Sequence, residues 1–135
     1  DIDHFKRVND RWGHAAGDGL LSAFGRLLQE STRACDAPFR YGGEEFAVLA
    51  TRTTADEAFH LAERIRNAFA LRCREATPGA AQTISIGICG TDLLPEGSDA
   101  GLLLRSADAA LYRAKQDGRN CSVRYTPELQ PAAAA

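Results

Sequence analysis

The positions of the apolar residues divide the chain into helical and extended stretches. Leu20, Leu21, Phe24, Leu27 and Leu28 recur at helical spacing and predict a helix that reaches about Ser31. Ala58, Leu61, Ala62, Ile65, Ala68 and Phe69 fall on one stripe of an amphipathic helix over residues 54–71. Leu103, Ala107, Ala110, Leu111 and Ala114 do the same over residues 98–116, with Gly118 placed to terminate that helix. A shorter helix is predicted over residues 3–12, entered through an acidic N-cap and ended near Gly13, and Gly17-Asp18-Gly19 reads as a turn. Residues 39–41 and 44–49 are strand-like and flank Gly42-Gly43, a strong hairpin signal. Residues 83–88 alternate β-branched with small side chains and predict a strand, and residues 121–125 predict a final edge strand. The Pro/Ala-rich stretch 127–135 is expected to be disordered.

The order helix, helix, hairpin, helix, strand, helix, strand predicts an α+β domain with a mixed, ferredoxin-like sheet. With 135 residues the chain is long enough for one domain, here residues 1–126, to bury its own core. A composition of 44% hydrophobic and 25% charged residues excludes collagen, coiled coil, disulfide scaffold and disordered chain. Lys and Arg total 16 against 18 Asp and Glu, a formal charge of -2, which argues against a nucleic-acid polymer held by bulk charge. No apolar run approaches the ~18 residues of a membrane span, and residues 1–10 lack the apolar core of a signal peptide. A cytoplasmic location without direct membrane contact is therefore expected, alone or as the cytoplasmic domain of a larger, membrane-bound protein. Cys35, Cys73, Cys89 and Cys121 form no C-x-x-C pair, which fits reduced thiols better than a zinc or redox site. The absence of Met and the start on Asp1 predict a fragment of a longer protein.

Candidate chemistry lies in two acidic sites far apart in sequence: Asp1-Ile2-Asp3, which has the look of a strand end, and Glu44-Glu45, directly after the Gly-Gly turn. Carboxylates at a strand end and beside a hairpin tip can converge on one edge of a sheet. Hard oxygen ligands suit Mg²⁺ and not zinc. Alternation in a strand sets Glu44 with Phe46 and Val48, and Glu45 with Ala47 and Leu49, so one of the pair would face a metal and the other would serve elsewhere. The competing reading is a solvated charged turn, since exposed acids are common. His4, His14 and His60 show no metal-ligand spacing.

Gly42-Gly43-Glu44-Glu45-Phe46 resembles the signature hairpin of the GGDEF family, the diguanylate cyclases, in its GGEEF form. The flanking Arg40-Tyr41 fits, as do Asp1-Ile2-Asp3-His4-Phe5-Lys6, Val8-Asn9-Asp10, Gly13-His14, Gly17-Asp18, Ser85-Ile86-Gly87 and the closing Ala107 to Asn120 block. The blocks follow one another in the family's order over essentially the whole chain.

The resemblance implies a palm-like, mostly antiparallel central sheet surrounded by helices, of the nucleotidyl cyclase type. It implies condensation of two GTP into cyclic di-GMP with release of two pyrophosphates, at a homodimer whose domains each hold one GTP. Asp1, the carbonyl of Ile2 and Glu44 resemble the metal ligands, for two Mg²⁺ or Mn²⁺ per site. Glu44 and Glu45 would assist deprotonation of the attacking hydroxyl. Asn9 and Asp18 resemble the guanine readers, whose acceptors suit the N1 and N2 hydrogens that adenine lacks. Lys6, Lys115 and Arg119 resemble phosphate clamps, joined by the backbone near His4 and Phe5 at a helix start.

Arg33-Ala34-Cys35-Asp36 matches the family's R-x-x-D pattern, five residues before the hairpin motif, and implies an inhibitory product site in which Arg33 and Asp36 grip cyclic di-GMP and Arg64 is a secondary contact. The family's domain begins with a helix carrying D-x-L-T-G-L-x-N-R-R and the strand that leads into Asp1, so these parts and an upstream sensor or regulatory domain are expected ahead of the chain. The alternatives are a non-catalytic receptor for cyclic di-GMP or GTP, which the intact Gly42 to Phe46 motif disfavours, and a dimerisation module that binds no nucleotide.

Overall fold

Helix α1 (Phe5–Trp12) and helix α2 (His14–Ser31) are separated by Gly13 alone, whose φ of 86° belongs to the left-handed region that a side chain disfavours. The computed structural model describes residues 1–76 and 81–129. Gly17-Asp18-Gly19 continue α2 and form no turn, a correction to the sequence reading. Glycine in a helix costs about 1 kcal/mol relative to alanine, and at Gly17 packing supplies the reason: a Cβ there would collide with the Asn9 side chain and press on Phe5, so the bare backbone lets α1 approach α2. The predicted acidic N-cap of α1 is absent too. His4 holds that position at φ 54° without a side-chain cap, because the carboxylate of Asp3 is engaged elsewhere.

Strands β1 (Ala37–Gly42) and β2 (Glu45–Leu49) form an antiparallel hairpin from the Ala37–Leu49 pair to the Gly42–Glu45 pair. The register shifts between Arg40 and Gly42, leaving Tyr41 as an extra residue. β2 starts at Glu45, so Glu44 lies in the turn and not in a strand beginning at residue 44.

The opening residues lie between this two-stranded hairpin and the approach to a second two-stranded sheet. Ile2 N–H donates to the Glu44 carbonyl at 3.3 Å on one side and Ile2 bridges Ile84 antiparallel on the other. Ser85 N–H donates to the Asp1 carbonyl at 3.0 Å, and Asp3 N–H to the Thr83 carbonyl at 2.9 Å. Regular pairing of the predicted 83–88 strand is thus confined to β3 (Ile86–Ile88), which lies parallel to β4 (Ser122–Arg124). Helix α4 (Ala100–Gln116) makes the crossover that a parallel pair requires. Gly87 lets α4 lie directly on β3, since a Cβ would run into the Ala107 carbonyl and the Leu111 amide.

Helix α3 (Ala55–Ala76) runs past its predicted end, because buried Cys73 continues the stripe of Ala62, Ile65 and Phe69 by another turn. Its start is a reciprocal Thr54–Glu57 capping box, with Asp92 accepting from Ala55 N–H at 3.2 Å. Phe24 of α2 joins the layers, meeting Phe46 of the hairpin at 4.8 Å and Phe69 of α3 at 5.0 Å, both edge-on. Burial pushes the thiols of Cys73, Cys89 and Cys121 up, which keeps them protonated at neutral pH. The predicted disordered stretch falls mostly on residues 130–135, outside the described residues. No helix among the described residues is long and apolar enough to cross a membrane.

Candidate active site

The sheet order carries Asp1-Ile2-Asp3 to the hairpin tip. The Ile2–Glu44 main-chain bond sets the two acidic sites of the sequence side by side although 42 positions separate the paired residues. No hydrogen bond among the described residues ends on the Ile2 carbonyl. No group of three or more His, Cys, Asp or Glu side chains is gathered into a cation cage among the described residues. The oxygen donors that could hold a cation are the Asp1 carboxylate, the Ile2 carbonyl and Glu44, which form a hard set.

Arg40 supports the hairpin tip. Its Nε donates to the Gly43 carbonyl at 2.8 Å, closing the turn that presents Glu44, where Gly43 itself takes φ 50°. Arg40 also walls a cleft of about 300 Å³ with Asp18, Leu21, Ser22 and Phe46. Asp18 reaches that cleft from α2. One residue before it, Gly17 packs against Asn9, whose buried Oδ1 has no hydrogen-bond partner among the described residues. Of the two residues read as base readers, Asp18 lines this cleft, while Asn9 packs on Gly17, the residue before it, and is not among the lining residues.

The cations come from the end of α4, the turn after it and the start of α1. Lys115 Nζ, in the last turn of α4, donates to Asp1 Oδ2 at 3.1 Å, and the Asp1 carboxylate is nearly buried. Arg119 follows at φ 66° and Asn120 at φ 49°, two successive left-handed residues. Lys6 lies in the first turn of α1, where the leading amides of the helix have no internal partners.

The acceptor that holds these parts together is Asp3, which the local sequence pattern presents as a helix cap. Asp3 is 3% exposed. Its carboxylate accepts from Thr83 Oγ1 and Ser85 Oγ, both at 2.7 Å, and from Asn120 N–H at 3.1 Å. Strand alternation carried the signal: Asp1 and Asp3 share a face, as do Thr83 and Ser85 across from them. Arg40 was legible only as part of the hairpin motif.

The Arg33–Asp36 corner is separate. Asp36 accepts from Arg33 N–H at 3.0 Å and from Thr51 N–H at 3.1 Å. The Arg33 amide, followed by that of Thr51, holds its carboxyl below the usual range. Arg64 of α3 donates to the Ser31 carbonyl at 3.1 Å, at the end of α2 beside this corner.

Residues 1–121 match the family described as diguanylate cyclase, GGDEF domain. The chain belongs to the GGDEF family. A probable diguanylate cyclase of Escherichia coli K12, DgcC, is 42% identical to this GGDEF domain over 120 residues, 89% of this chain and 32% of that protein. The chain thus spans about a third of the length of such curated relatives. Among solved structures, an active GGEEF domain of a diguanylate cyclase from Vibrio cholerae superposes with a TM-score of 0.82 at 36% identity, covering 93% of this chain and 78% of that one. The GGDEF domain of DgcB from Caulobacter crescentus in complex with c-di-GMP gives a TM-score of 0.82 at 34% identity, covering 92% and 73%. The α+β architecture, with its antiparallel hairpin beside helical crossovers, is the GGDEF fold.

Proposed function

We propose that this domain, facing a second copy, joins two GTP molecules into cyclic di-GMP. The 3′-oxygen of each GTP attacks the α-phosphorus of the other. Each new P–O bond replaces the bond to the β-phosphate, so two pyrophosphates leave. The hydroxyl protons pass to Glu44, assisted by Glu45. Phosphoryl transfer asks for positioning and charge stabilisation more than for covalent help, and the residues around the hairpin tip offer both. The observation that carries the reading is the main-chain bond between Ile2 and Glu44, which lays the opening triplet against the GGEEF tip.

Asp1, the Ile2 carbonyl and Glu44 would hold the divalent cations, Mg²⁺ or Mn²⁺, two per site. Their chemistry fits: every donor is oxygen, and the Ile2 carbonyl is free of other hydrogen bonds among the described residues. Bound there, such ions neutralise the triphosphate and lower the pKa of the attacking hydroxyl. Asp18 and Asn9 read guanine. The unpartnered buried acceptor on Asn9 supports this, because adenine would leave it unsatisfied. Lys115, Arg119, Lys6 and the amides near His4 and Phe5 bind the phosphates.

Product feedback is assigned to Arg33, Asp36 and Arg64. The Asp36 carboxylate is already oriented by two amides, which favours capture of a guanine edge with little ordering cost. GTP and Mg²⁺ incubated with the enforced dimer should yield cyclic di-GMP and pyrophosphate. A folded dimer that releases neither contradicts the proposal. Binding of cyclic di-GMP by that inactive dimer, lost on Arg33→Ala, would instead make the domain a receptor.

A further inference from the structure

We infer that Asp3 is a positioning residue for the phosphate clamp: it fixes the left-handed turn that aims Arg119. The inference rests on the clamp role proposed for Arg119 and adds the part that sets its direction.

Arg119 and Asn120 both have positive φ, at 66° and 49°. Asparagine tolerates that region and arginine is rarer there, so two in succession need external support. The support is applied to Asn120 from two sides. Its amide donates to Asp3 Oδ2 at 3.1 Å. Its Oδ1 accepts from Arg66 Nη1 at 2.9 Å, and Arg66 is itself held by Glu63 through two bonds of 2.8 Å. Asp3 is in turn immobilised by Thr83 Oγ1 and Ser85 Oγ at 2.7 Å each. Arg119 N–H closes back on the Ala114 carbonyl at 3.0 Å, so its main chain is fixed at both ends. The acid that holds Asn120 is also main-chain bonded to β3's neighbour Thr83 and lies two residues from Asp1, which carries Lys115. One buried carboxylate therefore ties the turn that carries Arg119 to the opening segment that carries Asp1. A group of this kind does not touch substrate. It acts through Arg119, and that is what separates it from a merely structural acid.

The experiment is a double-mutant cycle on the purified chain, read by calorimetric affinity for 3′-deoxy-GTP with Mg²⁺, which lacks the attacking hydroxyl and cannot turn over. Arg119→Ala should weaken binding by about tenfold, as loss of a phosphate contact does. Asp3→Asn should also weaken it by roughly tenfold, the scale seen when an orienting partner is removed. In the Arg119→Ala background, Asp3→Asn should add less than about twofold. Ser85→Ala keeps the charge and removes one anchor, and it takes the place of Asp3→Asn if that variant does not fold, with a loss of about threefold expected. If Arg119→Ala binds as the wild type does, the clamp reading fails. If Arg119→Ala weakens binding but the Asp3 or Ser85 variant does not, or weakens it equally with and without Arg119, the positioning role is overturned.

Discussion

The acidic seam and the Arg33–Asp36 corner spend the same side chains in different ways. At the seam, Asp1 and Asp3 take partners 80 to 117 positions away, from β3's approach and from the end of α4. At the corner, Asp36 accepts from the amide three residues before it and from Thr51, fifteen residues on. The seam is buried and made by the fold, whereas the corner is an exposed turn that largely makes itself. A change at Asp1 or Asp3 is therefore expected to reach stability, while a change at the exposed corner is expected to leave the fold intact.

The strongest way to break this contrast is to remove the hairpin acid alone. Glu44 lies in the turn, outside the core, so Glu44→Ala should leave the thermal midpoint nearly unchanged. It should lower cyclic di-GMP formation by about 10³-fold or more, the loss of several kcal/mol of charge stabilisation. Turnover at the wild-type rate would remove Glu44 from the chemistry. Next in size, Phe24→Ala opens the contact among α2, α3 and the hairpin. A loss of about 3–5 kcal/mol in denaturant unfolding is expected, with the Arg33–Asp36 corner still binding cyclic di-GMP in the fraction that remains folded. Arg33→Ala should do the converse. It should weaken cyclic di-GMP binding at the corner by about tenfold or more, the removal of a charge-assisted contact, with the initial rate on GTP unchanged in product-free assays. The smallest effect concerns Glu63, whose carboxyl is held below its ordinary value chiefly by hydrogen bonding to Arg66. A depressed carboxylate contributes stability above its unfolded pKa, and that contribution is lost as pH falls through the folded value. Glu63→Gln should therefore cost about 0.5 kcal/mol at pH 7 and nothing well below pH 4, compared by urea unfolding at the two pH values.

The same contrast explains what was readable in the sequence. The hairpin, α3 and α4 announce themselves through local periodicity and a Gly-Gly turn. The two glycines that flank Asp18 read locally as a turn, whereas the reason for Gly17 is the Asn9 side chain packed on it from another helix. Asp3 has the local signature of a cap because its neighbours in sequence start a helix, while its partners come from residues 83, 85 and 120. Short-range order is written in short-range pattern. A buried acid with distant partners leaves only a fainter trace, the alternation that sets Asp1 with Asp3 and Thr83 with Ser85.

Paramagnetic broadening by Mn²⁺ added with GTP tests the central claim directly, since the ion is a probe that reports its own position. Amide resonances of Ile2 and Glu44 should vanish first, while those of Arg33 and Asp36 persist. Broadening that spares Ile2 and Glu44 at saturating Mn²⁺ would contradict the account.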